Sequence, residues 1–138
     1  MVKNIHLSIV LPHRGLAEGK SRLSGVLNDA QRQTLNRWLI EHTLRIASSG
    51  IDNAHSCIVV SPCVDTLAIA QTLGARGLRD KGAGLNQALA QGAAHAAQTG
   101  ASHALILPCD LPSLNEEALR EMIVLAAPGI TVIAPRSE

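Results

Sequence analysis

The sequence predicts an α/β fold, a three-layer α/β/α sandwich around a mostly parallel sheet, and three observations carry that expectation. Strand-like and helix-like segments alternate along the chain with short loops between them. The strand segments Cys57-Ile58-Val59-Val60 and Ala104-Leu105-Ile106-Leu107 are apolar without alternation, the pattern of parallel strands buried on both faces. A helical segment rich in small residues, Ala88, Ala90, Ala93, Ala94, Ala96 and Ala97, suits close packing on a sheet. The 138 residues suffice for one domain, in which roughly two thirds of the unfolded surface can be buried.

Taken in order, Ile5 to Leu11 reads as the first strand. Pro12 to Gly19 is a loop in which Pro12, Gly15 and Gly19 break regular structure. A short helical turn covers Ser21 to Leu27. Asn28 and Asp29 then cap a long helix, about Ala30 to Ser48, with Leu35, Leu39 and Ile46 on one face and Trp38 and Thr43 beside them. Gly50 fits its C-terminal stop. Ser56 to Ser61 is the second strand, and Pro62 opens a helix, Val64 to Leu73, closed by Gly74. Ala75 to Leu78 is a short third strand, Asp80 to Gly84 a loop, and Leu85 to Thr99 a helix stopped by Gly100.

Ala104 to Leu107 reads as the central strand of the sheet. Pro108 lacks an N–H and ends its ladder. Ser113 and Asn115 offer caps for a helix from about Glu116 to Ala126, with Glu116 and Glu117 in its first turn. Pro128-Gly129 turns the chain into a fifth strand, Ile130 to Ala134.

Composition narrows the function. The net charge is +1 with no block of like charge, which argues against a nucleic-acid partner. Trp38 is the single aromatic residue, so the stacking platforms of single-strand binders are missing and the core is Leu, Ile, Val and Ala. The partner is expected to be small. Cys57, Cys63 and Cys109 form no C-x-x-C pair, which speaks against a disulfide framework or zinc site and for the cytoplasm. The apolar run Leu7 to Leu11 is too short for a signal peptide or a membrane helix, so no membrane association is expected.

Three stretches carry chemistry. Asp110 follows Pro108-Cys109 just past the carboxyl end of the fourth strand, the edge at which open α/β sheets bind ligands. Two roles fit it: an oxygen ligand for Mg2+ shared with substrate phosphates, or a turn residue before the next helix. The loop after the first strand, Arg14-Gly15-Leu16-Ala17-Glu18-Gly19-Lys20-Ser21-Arg22, holds three cations within nine residues. Its glycines let the backbone approach a phosphate, and Arg14, Lys20 and Arg22 meet the charge. It misses the nucleoside triphosphatase loop motif, having three residues between the glycines where that motif has four. The third stretch, Asp80-Lys81-Gly82-Ala83-Gly84-Leu85-Asn86, opens a helix. It contains G-x-G but has Gln87 where the dinucleotide fingerprint needs its last glycine. The six histidines show no triad-like order, and His13 alone adjoins the basic loop.

Together these stretches resemble a known family. Leu11-Pro12-His13-Arg14-Gly15-Leu16 with Lys20-Ser21-Arg22-Leu23 is similar to the opening signature of the 2-phospho-L-lactate guanylyltransferases. Gly84-Leu85-Asn86-Gln87-Ala88-Leu89 resembles their second motif and Asp110-Leu111-Pro112 their third, in the same order and spacing from residue 5 to about 135. The resemblance implies the nucleotide-diphospho-sugar transferase fold, shared with the molybdopterin guanylyltransferases. It also implies joining of GTP to 2-phospho-L-lactate or phosphoenolpyruvate, with release of pyrophosphate, in deazaflavin coenzyme biosynthesis. Carried over by position, Arg14, Gly15, Gly19, Lys20 and Arg22 would meet the triphosphate, Lys20 and Arg22 in catalytic roles. Gly84, Leu85 and Asn86 would meet the guanosine, and Asp110 would be catalytic by binding Mg2+. A molybdopterin-type guanylyltransferase and a non-catalytic nucleotide-binding module are the alternatives.

The family continues past the fifth strand with another acidic, glycine-rich motif, where this sequence ends at Glu138. The resemblance therefore implies a chain without the family's C-terminal part, a second metal ligand and part of the acceptor pocket. Two expectations follow: a homodimer formed through the apolar edge Val132-Ile133-Ala134 or nearby apolar surface, and little or no guanylyl transfer.

Overall fold

The computed structural model of the chain describes residues 6–16, 25–49, 56–81, 84–109 and 112–124. Among them β1 (Leu7–Pro12), β2 (Cys57–Ser61), β3 (Arg76–Arg79) and β4 (His103–Ile106) form one sheet in the order β3-β2-β1-β4, with every pairing parallel. The helices are α1 (Asp29–Ser49), α2 (Val64–Thr72), α3 (Leu85–Gln98) and α4 (Glu116–Val124). The expected fifth strand at 130–134 and most of the turn expected at 21–27 lie outside the described residues.

Strand direction and crossover hand place the helices. From β1 to β2 to β3 the chain steps across the sheet one way, then returns past β1 to β4. Parallel crossovers share one hand, so reversing the step puts the connecting helix on the opposite face. Ile40, Leu44 and Ala47 of α1, Ile69 and Ala70 of α2, and Leu119 of α4 accordingly pack with Ile9, Leu11, Cys57 and Val59 on one face. Ala88 and Ala96 of α3 pack with Val10, Ile58 and Val60 on the other. The result is the α/β/α sandwich.

Local signals set the ends of the elements. The Asn28 side chain accepts from the Gln31 N–H at 2.8 Å while Gln31 Oε1 accepts from the Asn28 N–H at 2.9 Å, a reciprocal cap that starts α1. Asp29, the other expected cap, instead pairs with Arg32 in the first turn. Asn115 caps α4 through the Ala118 N–H at 2.8 Å. Gly74 and Gly100, at φ 85 and 93, stop α2 and α3 in the left-handed region.

Three details differ from the sequence reading. The apolar run of β4 is not buried on both faces, Ala104 and Ile106 being exposed, whereas β1 is covered on both, with Ile9, Val10 and Leu11 all 0% exposed. Ile106 of β4 is 41% exposed because α3 lies over β2 and β1 and reaches β4 least. An unalternating apolar run reports hydrophobicity without saying which strands flank it. The buried face of α1 is Asn36, Leu39, Ile40, Thr43, Leu44 and Ala47, turned from the face through Leu35 and Ile46, and Trp38 is 48% exposed. Of the alanines expected to pack on the sheet only Ala88 and Ala96 do. Gly92 lies between them, while Ala90, Ala93, Ala94 and Ala97 face solvent.

Candidate functional site

A cleft of about 520 Å³ opens at the carboxyl ends of β1 and β2, lined by Pro12, His13, Arg14, Val60, Pro62, Asp80, Gly84, Leu85 and Ala88. Parallel pairing brings these segments together. The His13 N–H bonds the Val60 carbonyl at 3.0 Å, continuing the ladder past β1, and the Asp80 N–H bonds the Ser61 carbonyl at 2.9 Å past β3. Two loops 66 residues apart, at Arg14 and at Asp80 (80 − 14 = 66), thus share one sheet edge.

The first loop is held by contacts behind the cleft. Gly15 sits at φ 147, and a β-carbon there would stand 3.1 Å from Cys63 Cβ, so both conformation and space call for glycine. Leu16 is buried in the main core, and its carbonyl accepts from buried Asn36 Nδ2 at 2.7 Å. The Leu16 N–H reaches the Cys63 thiol. These anchors leave Arg14 exposed at the mouth of the cleft.

Cys63 is the N-cap residue of α2. Burial by itself raises its thiol pKa. Hydrogen bonds from the Thr66 hydroxyl and from the N–H groups of Thr66, Leu16 and Asp65 outweigh that, and the net shift is downward. Cys57 and Cys109 are buried and outside any disulfide, and burial pushes the Cys57 thiol up to about 11. His13 Nδ1 lies 3.1 Å from Thr66 Oγ1, and burial lowers the imidazole to about 4, leaving it neutral near pH 7.

The second loop delivers the start of α3 to the opposite wall. Gly84 is the N-cap residue at φ 105 with no side-chain cap. No capping side chain competes for the first-turn N–H groups of α3, and Gly84 and Leu85 line the cleft, so this helix start suits an anionic ligand there.

Of the residues expected at the site, Arg14, Gly84 and Leu85 line this cleft. Gly15 and Asn86 adjoin it without forming its wall; Gly15 is buried behind the loop and Asn86 is exposed in the first turn of α3. Gly19, Lys20, Arg22 and Asp110 lie outside the described residues. Sequence reasoning left out Pro12, His13, Pro62, Asp80, Val60 and Ala88. Asp80 and Pro62 had a usable signal, since each directly follows a strand on the ligand-binding edge. Val60 and Ala88 read as core residues and had none. Among the described residues no three His, Cys, Asp or Glu cluster as a metal site, and no helix is long and apolar enough to cross a membrane.

A parallel sheet that brings Arg14 and the start of α3 to one cleft has the arrangement in which α/β folds take anionic ligands. A family model described as the MobA-like NTP transferase domain matches residues 16–138, and the chain belongs to that family. It is 35% identical over 128 residues to the phosphoenolpyruvate guanylyltransferase of Rubrobacter xylanophilus, covering 91% of this chain and 61% of that protein. It is 34% identical over 131 residues to the enzyme of the same name from Sphaerobacter thermophilus, covering 94% and 62%. A third such protein, from Chloroflexus aggregans, is 30% identical over 132 residues, covering 94% and 65%. The chain thus spans less than two thirds of the length of these relatives.

Proposed function

We propose that the chain is a single guanylyl-transferring nucleotidyltransferase domain that joins GTP to phosphoenolpyruvate or 2-phospho-L-lactate, in deazaflavin coenzyme biosynthesis. The observation that carries this reading is the meeting of the Arg14 loop and the Gly84 helix start in one cleft of an NTP transferase fold. In the reaction a phosphate oxygen of the acceptor attacks the α-phosphorus of GTP. The bond from that phosphorus to the bridging oxygen breaks, and pyrophosphate leaves with the electron pair. The attacking phosphate carries about −1.5 to −2 charge near neutral pH and needs no general base. What the protein supplies is in-line placement and neutralisation of charge. Arg14 and the α3 N-terminus serve the triphosphate from the described walls. Lys20 and Arg22 join them in this reading, and Asn86 meets the nucleoside.

Mg2+ fits the donor chemistry of this edge. Asp80 brings a hard carboxylate to the cleft, and Asp110 follows buried Cys109 directly. One or two carboxylates with substrate phosphates are its usual ligand set. When bound, the ion withdraws charge from the phosphoryl oxygens. A cytoplasmic homodimer completes the reading, supported by cysteines that form no disulfide with one another and by the exposed Ile106 of β4.

Pyrophosphate release is the direct test. Release from GTP that depends on phosphoenolpyruvate or 2-phospho-L-lactate, and exceeds that from ATP or CTP, supports the proposal. Absence of release with either acceptor counts against it. The family match equally admits a molybdopterin-type acceptor, and release with molybdopterin alone would select that reading.

A further inference from the structure

We infer that His13 is a further ligand-contacting residue of this cleft, which meets the uncharged nucleoside part of the ligand through Nε2 while Thr66 positions its ring. The inference rests on the nucleotide reading above and adds a contact outside the phosphate-binding loops.

His13 stands on the cleft wall between Pro12 and Arg14. Its main chain is tied to the sheet by the bond to the Val60 carbonyl at 3.0 Å. Its Nδ1 is tied to Thr66 Oγ1 at 3.1 Å. Thr66 is fully buried, and its hydroxyl also meets the Cys63 thiol, so the anchor is itself held in place. A ring fixed at the backbone and at one nitrogen has one polar atom to offer, Nε2, which has no hydrogen-bond partner among the described residues. No buried side-chain nitrogen lacks a partner among the described residues, so Nε2 is reached from solvent, on a residue that lines the cleft.

The neutral state of the ring determines what it suits. A phosphate calls for a cation, and Arg14 next in sequence supplies one. A neutral imidazole nitrogen matches a ribose hydroxyl or a base edge, which donate and accept without charge. The surrounding wall agrees: Pro12, Val60, Pro62, Leu85 and Ala88 give the apolar surface a base needs.

Calorimetric titration of the full chain with Mg-GTP and, separately, with Mg-pyrophosphate tests this. A glutamine amide nitrogen reaches the place of Nε2, and an asparagine amide reaches only that of Nδ1. His13→Asn should weaken Mg-GTP binding roughly five- to tenfold and His13→Gln by no more than about twofold. Pyrophosphate affinity should hold in both. Thr66→Val should weaken Mg-GTP about threefold by freeing the ring. In the unsubstituted protein, the 15N signal of His13 Nε2 should move on adding Mg-GTP and stay in place with Mg-pyrophosphate.

Equal GTP affinity in the parent and both His13 variants would overturn the contact. So would retention by His13→Asn with loss in His13→Gln, a parallel loss of pyrophosphate binding, or an unmoved Nε2 signal. A parent chain that binds no Mg-GTP at all would overturn the nucleotide reading itself, and this contact with it. Normal parent binding with unaffected variants removes only His13.

Discussion

Gly92 of α3 rests directly on Val10 of β1. A β-carbon at Gly92 would overlap Val10 Cγ1 and stand 3.2 Å from Val60 Cγ2. The missing side chain lets the helix settle between Ala88 and Ala96 onto the two central strands, with its first turn on the cleft. The same contact sets how firmly α3 is held, which leads to the first prediction.

Gly92→Ala should destabilise the protein by about 1–3 kcal/mol, since overpacking against two rigid strands costs that much. Helix propensity works the other way by about 1 kcal/mol, so the net sign tests which effect wins. Urea unfolding of both proteins decides it. Adding Val10→Ala should recover part of the loss relative to the sum of the single changes, because the two sites touch. A Gly92→Ala protein as stable as its parent would mean that α3 shifts off the sheet at little cost.

Asn36→Ala removes the donor to the Leu16 carbonyl and leaves a buried acceptor unpaired. A loss of about 1–3 kcal/mol is expected from denaturant unfolding. Leu16 follows Arg14-Gly15 directly, so Mg-GTP affinity should fall as well. Unchanged affinity alongside reduced stability would show that the loop keeps its place without Asn36.

His13 makes stability depend on pH. Its folded pKa, about 4, lies below the ordinary 6.5, so between these values the unfolded chain binds the extra proton. Stability from this group is therefore intact above pH 6.5 and declines as pH falls, with a full loss on the order of 3 kcal/mol below pH 4. His13→Gln should flatten that part of the profile. Thermal melts of both proteins from pH 7.5 to 4.0 provide the comparison, and parallel profiles would refute the assignment.

Asp110→Asn keeps the shape of the side chain and removes its charge. In the proposed site, Mg2+-dependent GTP binding should weaken roughly tenfold or more, while the unfolding free energy stays within about 0.5 kcal/mol of the parent. Calorimetry with and without Mg2+ separates the two. If the variant binds Mg-GTP as the parent does, Asp110 is a turn residue.

The order of elements was readable because short-range chemistry decides it. Apolar runs, the Asn28 and Asn115 caps and the stops at Gly74 and Gly100 each act within a few residues, and the structure has its elements there. The shared position of the Arg14 and Gly84 loops was readable for a related reason: in a parallel sheet every strand ends at the same edge.

Other features depended on which residues meet across the chain. The pattern of residues 104–107 shows an apolar strand, yet the exposure of Ala104 and Ile106 depends on where α3 lies across the sheet. The helix face rich in alanine was visible, but not that Gly92 would be the point of closest approach. His13 and Thr66 are separated by 53 positions, and no local pattern joins them. The sequence by itself determined the described elements, their polarity and the edge at which the Arg14 and Gly84 loops meet. Only the tertiary structure decided which side chains face the cleft and which state they hold there, because burial and hydrogen bonding between distant residues exist only once the sheet has formed.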